Sequence, residues 1–574
     1  MHFIQYNFNM SNTLIAENKK VLNRHSHPQS KYLPAVILLA VLCGIPFIIA
    51  AVRHSYVSGD DILTHMQRVE GMLSSIKAGH IPARLHLKTL FGYAYGMGFF
   101  YPQLLLVIPL IGRLMGLNFI LTTNGFLVLI NILTGISTYF CVYRITRSGP
   151  GALCAVAAAL FGYYRLADLT YRGSVGETAV FIFTPLLILG ICEIYRQKKS
   201  GLIWMVIGLS GILYSHLFSF IFTGIIVLIF LLITSYKWIT NKSVRNLLWI
   251  SAGISMLLTA SFWLPFLEQY FSVDILAKTG NEASPYRPAV PLGSTLRIIS
   301  YWWRNMPSYL YDPLLLAFPV ILAGIFFGRK KYRILLIVLV LTGSAGFYLS
   351  SNLFPWDRAE SIHRIIQFPW RMMFLPSAAL PIAAGISISS LKNRNTQKIL
   401  AALVSLLFVL SAVPVLKNVT ENYILLSPGY RGVQNDVGAG DYLPTGAEIE
   451  WIRNQGKNIS FAPEKINVDP VLNYHENGLH AELQYTLSED AEAEFPFLYY
   501  KGWYYQLGKE QARPAEKGPH GLVLCDLPSA DENVVKIFYQ KTPLQWLADF
   551  LSCAGLAVFL GVIIHERKNK HQNI

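Results

Sequence analysis

Long apolar runs separated by short polar segments fill most of the chain. Thirteen stretches stand out, at 32–52, 99–115, 119–141, 151–165, 178–195, 202–215, 218–235, 247–265, 309–327, 333–350, 370–388, 398–416 and 546–564. A helix needs about 17–25 mostly apolar residues to cross a bilayer, so the pattern predicts an all-α polytopic membrane protein of about 12–14 spans. Basic clusters sit between the runs: RQKK (196–199), KWITNKSVR (237–245), RKKYR (329–333), KNRNTQK (392–398) and HERKNK (565–570). Loops rich in Lys and Arg stay on the cytoplasmic side. Alternating the spans between these clusters places 53–98, 166–177, 266–308, 351–369 and 417–545 outside. The tail 1–31, with Lys19, Lys20, Arg24 and Lys31, then lies inside together with 565–574. One conflict remains: 99–141 must cross an odd number of times, yet it holds two apolar stretches.

Residues 417–545 break the pattern. Segments such as HAELQYTLS, FPFLYYKGWYYQL, GLVLCDL and VVKIFYQ are short, β-branched or aromatic, and punctuated by Gly, Pro, Asp and Asn. They predict an extracytoplasmic β-rich, sandwich-like domain after the membrane domain 32–416 and before a final span at 546–564. No cleavable leader is expected at the front, because no short apolar core with a small-residue cleavage site precedes Tyr32–Val52.

Composition agrees. Of 574 residues 53% are hydrophobic and 14% charged, against about 25% charged in an ordinary soluble domain. The net charge of +15 follows from the loop clusters, so no nucleic-acid partner is expected. The six cysteines form no CxxC pair, which argues against a disulfide framework or a thiolate metal site.

The chemistry gathers on the outward loops. In SGDDILTHMQR (58–68) a helix brings Asp61, His65 and Arg68 to one face, at i, i+4 and i+7, with Asp60 beside them. The carboxylate can deprotonate a hydroxyl, the guanidinium can grip a phosphate, and Asp61 with His65 can contribute to a divalent-cation site. A solvated amphipathic helix with an ordinary Asp–Arg pair is an equal alternative. FGYAYGMGFFYPQ (91–103) reads either as an aromatic groove for a sugar or lipid chain or as an interfacial aromatic belt. YRLADLTYRGSVGE (164–177) carries Asp168, Arg172 and Glu177; the last is also suited to cap a helix dipole. His216, Glu268 and Arg371 lie at outward ends of spans, where charge is costly unless paired or wetted.

The order of these features resembles the GT-C class of integral membrane glycosyltransferases. It is similar in particular to a bacterial membrane family labelled 6-pyruvoyl-tetrahydropterin synthase-related. That family's first loop reads Gly-His-Asp-x-x-(Phe)-His-x-x-Arg, matched here by Gly59, Asp61, His65 and Arg68. Pro82, Arg84, Gly92, Tyr93, Tyr101 and Pro102 follow. Arg172, Gly176 and Glu177 match a further element, as do Ser215–Leu217, Gln367–Arg371 and Tyr442–Pro444. Asp60 and Thr64 replace the family's first His and its aromatic, and the tyrosine spacing before Arg172 differs.

The resemblance implies transfer of a sugar from a polyprenyl-phosphate carrier to a hydroxyl of a glycan, lipid or protein, at the outer face of the bacterial plasma membrane. Asp61 would be the base, with Asp60 as the alternative. Arg68, and Arg84 or Arg371, would hold the phosphate; His65 would orient Asp61 or help bind Mg or Mn. No His-rich zinc constellation accompanies these residues, so no pterin is expected. Two rival readings are a lipid or polysaccharide transporter and an inactive envelope-assembly scaffold.

Overall fold

The computed structural model describes residues 30–57, 59–279, 313–359, 366, 368–421, 423–425, 440–462 and 473–572. The N-terminal lysines and arginine up to residue 29, Gln367 of the QFPWR motif and the first residues of the run at 309–327 lie outside them. Among the described residues six helices are long and apolar enough to cross a membrane: Phe119–Thr146, Val175–Tyr195, Lys330–Leu349, Pro369–Ser390, Arg394–Glu421 and Pro543–Lys568. Three bent pairs raise the number to nine. These are Leu33–Cys43 with Ile45–Val52 (60°), Gly149–Phe161 with Tyr163–Arg172 (47°), and Lys242–Leu258 with Ala260–Ser272 (66°). The chain is a multi-pass membrane protein with a C-terminal β-rich part.

Ser200–Leu213, Leu217–Ile233 and Pro313–Phe327 are shorter apolar helices; adding them gives twelve candidate crossings. The remaining one, Leu104–Leu114, accounts for the thirteenth run. Its 11 residues span about 16 Å, roughly half of a bilayer core. Leu104, Ile108, Ile111 and Met115 form an exposed apolar stripe along it, while Arg113 donates to Glu70 Oε2 at 3.2 Å. It therefore has the character of an interfacial helix. That leaves Phe119–Thr146 as the one described helix of its stretch long enough to cross, which is the odd number that the charge pattern asks for.

The bundle centre is built on small residues. Phe374–Ser390 lies against Gly149–Phe161, and a Cβ at Gly151 would stand 2.5 Å from the Gly385 carbonyl oxygen. Such small-residue contacts let membrane helices approach closely.

Eleven strands are found among the described residues. β1 (Ser55–Val57) pairs with β2 (Tyr423–Leu425), tying the first loop to the end of helix Arg394–Glu421. β3 (Ser460–Ala462), β6 (Ala491–Leu498), β10 (Leu522–Leu527) and β9 (Glu516–Lys517) form one sheet in that order. β4 (Asn473–Asn477), β5 (His480–Leu487), β11 (Ala530–Tyr539), β7 (Trp503–Leu507) and β8 (Arg513–Pro514) form the other. Alternate residues of β5, including Ala481, Leu483, Tyr485 and Leu487, turn inward in the period-2 pattern of a half-buried strand.

Both sheets share one core, and this core recruits the first loop. Tyr93, Tyr95, Phe99 and Phe100 are fully buried in it with Phe497, Tyr500 and Trp503. Leu498 N donates to the Tyr93 carbonyl at 2.8 Å. The Gly- and Tyr-rich stretch thus forms neither a ligand groove nor a membrane belt up to Phe100. Its aromatics are the cement between loop and sheets.

Candidate functional site

Helix Ile62–Lys77 positions the first group of side chains. Its apolar face, with Ile62, Met66, Val69 and Met72, packs into the bundle core. Gly79, at φ +86°, follows its end, as the left-handed preference of a glycine there predicts. Asp61 stands at the N-cap without accepting a bond from the helix's own N–H groups. Its carboxylate still gains from the helix dipole. It reaches electrostatically to Tyr101, Arg172, Arg371 and Asp441. Asp60 is exposed and Asp61 half-buried.

Two turns further in, Arg68 is only 2% exposed. Its guanidinium donates to the carbonyls of Tyr101 (3.2 Å) and Pro102 (2.5 Å) and lies 3.1 Å from His65 Nδ1. It also stacks 4.0 Å from the centre of the Tyr101 ring. Its Nε has no partner, and no carboxylate lies within ion-pair distance among the described residues. Burial lowers the Arg68 pKa to about 10. Burial, and then the Arg68 charge, holds His65 well below the usual histidine range, so the imidazole is neutral. Burial raises the Tyr101 phenol to about 12.

A second group comes from the turn before helix Val175–Tyr195. Asp168–Arg172 forms one π-helical turn, a geometry frequent at functional sites. Arg172 bonds Asp168 and, at 2.8 Å, Glu177; Glu177 also accepts from the Tyr164 hydroxyl. The Trp370 ring lies 4.4 Å from the Arg172 guanidinium carbon. This cation is therefore fully compensated.

Backbone contacts join the two groups. Asp60 N donates to the Tyr171 carbonyl at 3.0 Å, and Asp61 N to that of Arg172 at 2.6 Å. Gly173, at φ +62°, makes the approach possible: a Cβ there would lie 2.7 Å from Ile62 Cβ. At Gly176 a Cβ would lie 2.7 Å from both the Ser215 carbonyl and the Tyr101 hydroxyl, so Tyr101 and His216 meet there. The His216 and Tyr101 rings are 6.0 Å apart. His216 Nδ1 accepts from Ser219 N at 3.3 Å and so caps helix Leu217–Ile233. Arg371 rests on the rings of Phe218 and Phe368 and donates to the Ile366 carbonyl at 3.0 Å.

Asp441 and Tyr442 complete the wall. An antiparallel bridge between Ile275 and Pro444, with Ala277 N donating to the Asp441 carbonyl at 2.8 Å, holds them over the site. Tyr442 stacks on Phe100 at 5.2 Å and lies within electrostatic reach of Arg68 and Arg371. Burial raises the Asp441 carboxyl, with Arg371 opposing.

The structure thus brings together Asp61, His65, Arg68, Arg172, Glu177, His216 and Arg371, with Asp60 at the rim. It places two other candidates elsewhere. Arg84 pairs with Asp549 of the last helix and donates to the Ser261 carbonyl at 3.2 Å. Glu268 accepts from Thr542 at 2.8 Å and Gln545 at 3.3 Å, about the start of that same helix. Among the described residues no group of three or more His, Cys, Asp or Glu side chains forms a metal-ligand set. With a guanidinium on its Nδ1, His65 is poorly suited to join Asp61 around a cation. Tyr164, Trp370 and Asp441 were not singled out from the sequence as site residues. Trp370 was visible inside QFPWR and Asp441 next to Tyr-Leu-Pro, but their placement depends on contacts distant in the chain.

No family model and no curated protein matches the chain. Six chains of solved structures match it, among them the following two. The crystal structure of ArnT from Cupriavidus metallidurans in the apo state aligns at TM-score 0.43 and 12% identity, over 68% of this chain and 76% of that one. The cryo-EM structure of arabinofuranosyltransferase AftD from Mycobacteria aligns at the same TM-score and identity, over 68% of this chain but 28% of that one.

Proposed function

We propose that this chain is a GT-C-like glycosyltransferase, moving a sugar from a polyprenyl-phosphate carrier to an acceptor hydroxyl at the outer face of a bacterial plasma membrane. One observation carries the reading: Arg68 is a buried cation with no carboxylate partner among the described residues, two turns along the helix that has the half-buried Asp61 at its N-cap. A buried charge is costly unless paired, and a guanidinium fork suits a phosphate.

In this mechanism the acceptor oxygen attacks the anomeric carbon, and the bond from that carbon to the phosphate oxygen breaks. Asp61 takes the hydroxyl proton. Arg68, supported by Arg371, receives the charge that develops on the departing polyprenyl phosphate. Neutral His65 accepts from Arg68 and holds its fork in place. Arg172, neutralised by Asp168 and Glu177, shapes the wall rather than binding phosphate. The carrier's tail stays in hydrocarbon while its phosphate meets the outer loops. Both termini then lie in the cytoplasm.

The test compares wild-type, Asp61→Asn and Asp60→Asn in cells lacking the native protein, by mass spectrometry of lipid-linked sugars and envelope polymers. The expected result is loss of one glycan and accumulation of its carrier-linked sugar with Asp61→Asn, at normal protein level. If both variants leave every glycan intact, the reading fails.

A further inference from the structure

A cavity of about 400 Å3 lies between helices Val175–Tyr195, Leu217–Ile233, Arg333–Leu349 and Phe374–Ser390. Its walls are apolar, with Leu187, Ile191, Val227, Leu335, Val338 and Ala378. It is open to the membrane side, since Ile334 on its lining is 75% exposed. One mouth carries Arg196, Lys237 and Lys331. These follow the ends of two of the helices and precede the start of a third, so all three stand at one end of the bundle. Glu177 marks the opposite end, nineteen residues from Arg196 along one helix, or about 28 Å.

We propose that this groove holds the tail of an anionic membrane lipid, with the lipid phosphate at Arg196, Lys237 and Lys331. It would be a lipid site in the leaflet opposite the catalytic cluster. The physical case is a complementarity of two parts. The apolar walls offer nothing to a water-soluble anion, and a neutral lipid would leave the three cations at the mouth without an anionic partner. None of the three has a carboxylate within ion-pair distance among the described residues. Glu193, three residues before Arg196 in the chain, is already bonded to Arg144 at 2.8 Å and Ser200 at 2.6 Å. Lys237 lies over the Tyr195 ring at 5.3 Å, which keeps its ammonium at the mouth. Basic pockets between membrane helices are suited to lipid phosphates. The groove is within the usual size range of a ligand cavity.

The inference stands apart from the catalytic reading, because its readout is lipid retention and not transfer. The purified full chain in neutral detergent would be titrated with phosphatidylglycerol or phosphatidylcholine of matched tails and followed by native mass spectrometry. Phosphatidylglycerol is expected to bind at least tenfold more tightly. The combined variant Arg196→Gln, Lys237→Gln and Lys331→Gln should weaken it roughly a hundredfold, from the usual worth of a cation at an anionic lipid surface. Ala378→Trp, which fills the groove and leaves the cations intact, should also abolish retention, and an unchanged unfolding midpoint shows that each variant is folded. Equal binding of the two lipids, wild-type retention by the triple variant, or displacement by inorganic phosphate alone would overturn the proposal.

Discussion

Arg68 and Arg172 lie in the same site, both buried, yet their surroundings are opposite. Arg172 is enclosed by Asp168, Glu177 and the Trp370 ring. Arg68 has backbone carbonyls, a neutral imidazole and a tyrosine face, with its Nε unpartnered. The difference separates scaffold from reagent. A compensated ion network fixes geometry and has little left to offer a ligand. A buried cation held mainly by dipoles retains most of its attraction for an incoming anion.

The comparison can be tested by substitution, starting with the largest effect. Asp61→Asn should lower turnover by about 10²–10⁴-fold, the usual worth of a positioned base, with unfolding unchanged in a thermal scan. Arg172→Ala should cost about 3–5 kcal/mol, because it leaves two buried carboxylates without their cation; a lowered unfolding midpoint and poor yield would show it. Arg68→Ala should reverse that balance, with carrier turnover lost and the midpoint held or raised. If Arg68→Ala destabilises as much as Arg172→Ala, the distinction collapses.

Gly173→Ala should cost about 1–3 kcal/mol from its left-handed backbone and its contact with Ile62, and it should uncouple the two groups. A structure of the variant with Asp61 withdrawn from Arg172 would confirm that.

The smallest effect is on pH dependence. His65 and His86 are both buried and held below the usual range, His86 at about 4. The unfolded chain therefore binds protons that the folded chain refuses as pH drops below about 6.5. Stability is complete above that value and falls toward pH 4, by up to about 1.4 kcal/mol per pH unit for each histidine. His86→Gln should flatten part of that slope in urea titrations at stepped pH.

Much of this was legible in the sequence because the signal was local. Apolar length announced the helices, and the i, i+4, i+7 spacing of Asp61, His65 and Arg68 placed the loop helix. Period-2 segments announced the sheets. What failed to show depends on partners distant in the chain. Arg84 and Glu268 read as outward charges, but their bonds to Asp549 and Thr542 involve residues more than 270 positions away. The aromatics at 93–100 carry no mark that tells a binding groove from a core; only the facing sheets decide it. The short helix Leu104–Leu114 is as apolar as a span, and only its length sets it apart from one.

The shared core has a consequence for biosynthesis. Gly92 accepts from Lys457, 365 residues later, and Tyr93, Phe99 and Phe100 stay uncovered until β6 and β7 arrive. A ribosome would complete nearly every membrane helix before the first loop could settle. The site is thus a late product of translation. A chain cut short before residue 490 would reach the membrane with all its helices but the last made and its first loop without the sheets that cover it.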